Sequence, residues 1–211
     1  MKAFARTAMP AYPKSRLDAL TDGIFAVAMT ILVLDLRIPD EGAHPMTEAS
    51  MAQAFVALAP RFFPYVLSFY VLGVSWLSLI KVKSRGETVG AGYTRWWLIY
   101  LLLVTCVPFT TVVVGRYATL PIATSAYAAN IGLMAFAGHC MMSLLPDPLH
   151  DEHWLDRRVS LMLLLFSCLL TMGLSWVFAS RALYAFLLNV AAPLVVRYCA
   201  RRAKRPRLDA E

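Results

Sequence analysis

Residues 96–114 read WWLIYLLLVTCVPFTTVVV, nineteen consecutive positions without a charge. A helix needs about 20 apolar residues to cross a bilayer core. Lipid supplies no hydrogen-bond partners, so such a run must satisfy its own backbone as a helix. Five similar stretches surround it, at about residues 17–36, 54–80, 121–145, 159–178 and 182–199. The pattern predicts an all-α integral membrane protein with six transmembrane helices. Composition agrees: 59% of residues are hydrophobic and 16% charged, against about 25% charged in soluble domains. The 211 residues leave room for one membrane domain, residues 16–200. A short segment, residues 1–15, precedes it, and a basic tail, residues 201–211, follows.

The basic residues set an orientation. Sixteen of the 20 Lys and Arg lie before the first stretch, between the second and third, between the fourth and fifth, or after the sixth. Arg37, Arg61, Arg116 and Arg181 are on the opposite side. Loops rich in Lys and Arg stay in the cytoplasm, which places both termini there. The net charge of +7 is thus mainly a topology signal. The cluster from Arg197 to Arg207 fits anionic lipid headgroups beside the membrane. No soluble domain accompanies it, so no nucleic-acid partner is expected. Met1–Ser15 is polar, contains two prolines and has no apolar signal-peptide core. The first span is expected to act as an uncleaved anchor of a multi-pass protein in the cell membrane.

Nothing in the chain reads as catalytic, so no enzyme activity is expected. Cys106, Cys140, Cys168 and Cys199 occur singly, one in each of the last four spans, and read as small packing residues. His150-Asp151-Glu152-His153 reads as a solvated loop, since its order is not H-E-x-x-H and no third ligand accompanies it. His139 stands alone in the fourth span and reads as a packing residue. No cofactor or metal site is predicted. Thr88-Val89-Gly90-Ala91-Gly92-Tyr93 resembles the T-V-G-Y-G filter of ordinary potassium channels, but an alanine interrupts it and basic residues precede it. A flexible glycine-containing connection is expected there.

The longest outer connection, residues 37–50, has Asp35, Asp40, Glu41 and Glu48 in or beside it. It is either a device that concentrates cations or a plain acidic loop. Met51–Ala59 reads as an interfacial helix leading into the second span. Arg61, between Pro60 and Pro64, can extend its head to the interface.

Chemistry concentrates in the first span, SRLDALTDGIFAVAMTILVLDL from Ser15 to Leu36. Ser15 and Asp18 fit an N-terminal capping pair. Asp22 lies a turn deeper, where a carboxylate needs partners; Thr21 and Arg16 are near enough to share a network with it. At about 100° per residue, Leu20, Val27, Ile31, Leu34 and Ile38 form one aliphatic stripe. Gly23, Ala26 and Thr30 flank the stripe, and Asp22 points away from it. Such a stripe faces lipid or core, or it lines a pore while its small flank packs on a neighbour. Phase alone leaves both open.

The segment from Arg16 through Leu20-Thr21-Asp22 to Leu34 resembles the first-helix signature of the transmembrane-protein-175 family, potassium channels without the usual filter, whose motif is Arg-x-x-x-Phe-Ser-Asp. Ser68-Phe69-Tyr70-Val71 and Trp76 resemble that family's second helix. Pro108-Phe109-Thr110-Thr111 through Gly115-Arg116-Tyr117 resembles the end of its third. The resemblance implies a homotetramer of six-helix subunits, with the first helix of each lining a central pore. It implies a hydrophobic constriction at Val27, further apolar rings at Ile31 and Leu34, and a selectivity role for Thr30. Arg16, Leu20, Thr21 and Asp22 would be the structural motif. Two departures stand out. Val27 is smaller than the Leu or Ile usual in the family. Leu79 and Ile80 occupy positions where many bacterial members carry a His pair. The expected function is passive, potassium-preferring cation conduction, with potassium as permeant ion and with self and membrane lipids as partners, in what is expected to be a bacterial plasma membrane. The alternatives are an ion-coupled secondary transporter or a non-conducting membrane scaffold.

Overall fold

The computed structural model describes residues 12–38, 47–80, 88–144 and 154–191. The His150–His153 motif, Cys199, Asp40, Glu41 and the basic tail lie outside them. The order is β1 (Tyr12–Pro13), α1 (Lys14–Leu32) with a 3-10 turn (Val33–Asp35), α2 (Glu48–Ile80), β2 (Thr88–Val89), α3 (Ala91–Arg116), α4 (Pro121–Ser143), α5 (Trp154–Ala182) and a 3-10 helix (Leu183–Ala191). Among the described residues, four helical stretches are long and apolar enough to cross a membrane: Lys14–Asp35, Glu48–Ile80, Ala91–Arg116 and Ser160–Phe178.

Local chemistry explains several boundaries. Pro13 occupies the cap position of α1, with no side-chain bond to the helix. The expected Ser15–Asp18 capping pair therefore does not form. The helix starts too early for it, and Ser15 lies inside the first turn. Asp18 instead pairs with Lys14, with the ammonium 2.9 Å from its carboxylate, because residues four apart share a helix face. Pro121 opens α4 at a position that needs no N–H. α5 breaks at Phe178, whose backbone (φ −135°, ψ 61°) is not helical. The fifth apolar stretch was expected to end at that residue. The sixth enters as the 3-10 helix, and its remainder lies outside the described residues.

The expected flexible connection at residues 88–93 is structured. Thr88 and Val89 pair antiparallel with Pro13 and Tyr12, and Ala91 to Tyr93 form the first turn of α3. Their backbone groups serve a strand clip and a helix, so they cannot form a filter. Met51–Ala59 is not a separate interfacial helix. It continues without a break into α2, whose 33 residues span about 50 Å, well beyond a core of about 30 Å. His139 is exposed, not packed.

The interior lies mainly between α3 and α4, with α5 against α4's other side. Small residues in α4 permit this closeness: eleven of its 23 residues are buried, five of them Ala or Gly. Gly132 faces Cys168, whose Cβ would lie 3.5 Å from an added methyl group. The 3-10 helix folds back onto this core. Phe186 meets Tyr127 edge-on at 5.6 Å, and Asn189 donates to the Ser167 hydroxyl at 2.7 Å.

One polar knot joins three helices. The Ser68 hydroxyl of α2 lies 2.7 Å from that of Thr111 on α3 and 3.1 Å from that of Tyr127 on α4. Thr111 also donates to the Val107 carbonyl at 2.8 Å. Ser68→Ala strands the buried Tyr127 hydroxyl and should cost about 1–2 kcal/mol. The double variant Ser68→Ala/Tyr127→Phe removes both partners and should recover most of that loss. Thermal unfolding of the three proteins in detergent checks the order.

Candidate functional site

α1 has two contrasting faces. Leu17, Thr21, Phe25, Ala28 and Leu32 are buried. Leu20, Val27, Ile31 and Leu34 are 51%, 57%, 44% and 56% exposed, so nothing in the described subunit covers the stripe. Ile38 lies beyond the helix and is also exposed. Gly23, Ala26 and Thr30 beside the stripe are open as well, and a methyl group added at Gly23 would meet no atom within 4 Å. The Thr30 hydroxyl donates to the Val27 carbonyl at 2.9 Å. That bond uses its only hydrogen and leaves its oxygen free to accept from outside.

The buried face is fastened to α3. The Thr21 hydroxyl donates to the Leu17 carbonyl at 2.8 Å and accepts the Trp97 indole N–H at 2.9 Å. One turn on, the rings of Phe25 and Tyr100 lie 6.2 Å apart. A hydroxyl is required at position 21 because it must give and accept at once, which Ser or Thr can do.

Asp22 turns toward α2. Its carboxylate accepts the Trp76 indole N–H at 2.8 Å. Leu79 and Ile80 line the adjoining cleft of about 220 Å³, along with Asp18, Tyr93 and Met141. These two aliphatic residues offer the carboxylate no donor, and the indole supplies one from a turn earlier. Arg16 and Leu20 are exposed. Among the described residues Arg16 and Asp22 form no ion pair, so the motif brings together Thr21, Asp22, Trp97 and Trp76, with Arg16 apart. At the other end of α1, Asp35 accepts from the Arg116 guanidinium at 3.0 Å. Asp35 is therefore committed to α3 and does not serve as a free acid in the outer loop.

Trp97 and the Asp35–Arg116 pair are the contacts that the linear chain did not announce. A tryptophan at the start of a span reads as an interfacial anchor, and opposite charges closing two spans on the same side were the available hint of the pair.

Thr21→Val leaves a buried indole N–H without its acceptor and should cost about 1–3 kcal/mol, whereas Thr21→Ser should cost well under half as much. A cycle of Asp22→Ala and Trp76→Phe should show coupling of about 1 kcal/mol. Detergent unfolding measures both, and additive losses in the cycle would mean that the indole does not hold the carboxylate.

Comparison with known proteins places these residues in a family context. The family model for the endosomal/lysosomal potassium channel TMEM175 matches residues 16–108. A potassium channel of Chamaesiphon minutus is 31% identical over 117 residues, 54% of this chain and 56% of its own. A potassium channel of Streptomyces collinus is 33% identical over 103 residues, 48% of each chain. The chain thus matches about half the length of these relatives. The crystal structure of a lysosomal potassium-selective channel TMEM175 homologue from Chamaesiphon minutus superposes with a TM-score of 0.67, at 22% identity, over 86% of this chain and 97% of that one. Residues 16–108 are thus similar to the TMEM175 family model, and the overall fold is similar to that of the solved channel.

Proposed function

We propose that four copies of this chain form a potassium-preferring cation channel, with α1 of each copy lining a central pore. One observation carries the proposal: an apolar stripe runs along α1 from Leu20 to Leu34, and nothing among the described residues covers it. The helix is otherwise held firmly from behind. One chain cannot surround a pore lined only by its first helix, so copies must close about an axis. The small residues Gly23 and Ala26 beside the stripe suit close approach of a neighbouring helix. The potassium-channel names of the two bacterial relatives support the same function.

In this arrangement Val27 forms the narrowest apolar ring, with Ile31 and Leu34 as further rings toward the Asp35 end. Four Val27 side chains would control flow by excluding water and by limiting hydrated ions sterically. Thr30, one turn along, would hold the water through which potassium is sensed, with the oxygen that its backbone bond leaves free. Outward residues such as Leu102, Phe109, Leu169 and Trp176 suit lipid. The basic bias places the Lys14 end and both termini in the cytoplasm, with a bacterial plasma membrane as the site of action.

Planar-bilayer recording of the purified protein in potassium/sodium gradients tests this. The native chain should give unitary currents with a potassium-favouring reversal potential. Val27→Asn should wet the constriction, raise conductance and lower potassium preference. Thr30→Val should weaken preference with little effect on assembly. Unchanged currents in both properly assembled variants would remove the pore from this face, and no unitary current from the native protein would refute the channel.

A further inference from the structure

We propose that the Asp35–Arg116 ion pair is a latch that sets the position of α1's far end, and with it the opening at Leu34; the reading rests on α1 lining the pore. Asp35 closes the 3-10 turn that follows α1, and Arg116 closes α3. They are 81 positions apart in the chain and 3.0 Å apart in space. Asp35's side chain is only 11% exposed, although it sits at a helix end, while that of Arg116 is 50% exposed. The adjacent residue, Leu34, is 56% exposed. Neighbours on a 3-10 turn point about 120° apart, so the turn directs its carboxylate at α3 and its leucine away from it.

Backbone bonds make this turn a unit. The Leu36 N–H donates to the Val33 carbonyl at 3.0 Å and the Arg37 N–H to the Asp35 carbonyl at 2.9 Å. The Arg37 guanidinium donates to the Leu34 carbonyl at 3.0 Å. A displacement of Asp35 therefore carries Leu34 with it. Past Phe25, the buried residues of α1 are Ala28 and Leu32, with Met29 packed beside them; all are apolar and do not define a register. The ion pair is directional and does define one. Its base is firm as well: the stem of Arg61 on α2 lies 3.8 Å from where a methyl group on Gly115 would sit, so the end of α3 is backed by α2. Asp35 and Arg116 are thus positioning residues for conduction, acting through Leu34.

Bilayer recording of Asp35→Asn, Arg116→Gln and the swapped pair Asp35→Arg/Arg116→Asp tests the latch. Each single variant should change unitary conductance or open probability about threefold or more, and the swap should return it to within about twofold of native, since coupled partners are non-additive. The effect should persist in 1 M potassium chloride, where the Debye length is about 3 Å. An effect that vanishes at high salt would mean that Asp35 acts only as a surface charge. Native behaviour in both assembled single variants, or a swap no better than the worse single, would also overturn the latch. Arg116→Lys, which keeps the charge and loses the planar fork, should give a smaller change than Arg116→Gln and carries the test if a neutral variant does not assemble. Leu34→Asn separates the two readings. If it leaves conduction unchanged, the pore reading fails at this ring and takes the latch's role with it. If it alters conduction while the pair variants do not, the latch alone fails.

Discussion

The fastening of α1 to α3 is the constraint on which the rest of the arrangement depends. It begins before the helix, where Tyr12 and Pro13 pair with Val89 and Thr88. It continues through the bond between Thr21 and Trp97 and the contact of Phe25 with Tyr100, and ends at Asp35 and Arg116. Polar ties stand at both ends, and apolar packing fills the middle. That order suits a bilayer, because hydrogen bonds and charges cost least near the interfaces and packing alone suffices in the core. α3 can serve as a strut because it is itself wedged between α2 and the closely packed α4.

A helix sealed so completely on one side is free to present its other side. The apolar stripe owes its exposure to this division of labour, and the proposed pore follows from it. Hydrophobic burial is non-directional, so it does not settle the rotation of a helix to within a few tens of degrees. The hydroxyl of Thr21 and the carboxylates of Asp22 and Asp35 do settle it, since each must find a donor on a neighbouring helix. Asp22 also shows how a carboxylate on a spanning helix is met by a neutral donor. With aliphatic residues at positions 79 and 80, the carboxylate relies on an indole four residues before the second of them, still on the same side of α2.

Much of this was legible in the linear chain. The length and apolarity of the stretches determined the membrane class, and the end of the fifth stretch was readable to within a residue of the break at Phe178. The stripe of Leu20, Val27, Ile31 and Leu34 could be drawn from a 3.6-residue period alone, because periodicity is a local property of the chain. The sequence also marked Asp22 as a residue in need of partners.

Only the tertiary structure decided which face of α1 is covered and by what. The partners of Thr21, Asp22 and Asp35 lie 76, 54 and 81 positions away, and their meeting depends on the rotation and axial offset of packed helices, which no local pattern encodes. Two local expectations also yielded to nonlocal contacts or earlier boundaries. The Ser15–Asp18 cap gave way to a helix begun at Lys14, directly after Pro13, and the glycine-containing connection became a strand and a helix start once β1 was there to pair with it. Sequence thus determined what each segment is, through hydropathy and period; packing determined what each polar side chain meets, because a buried donor or acceptor must be satisfied by whatever the fold brings within about 3 Å.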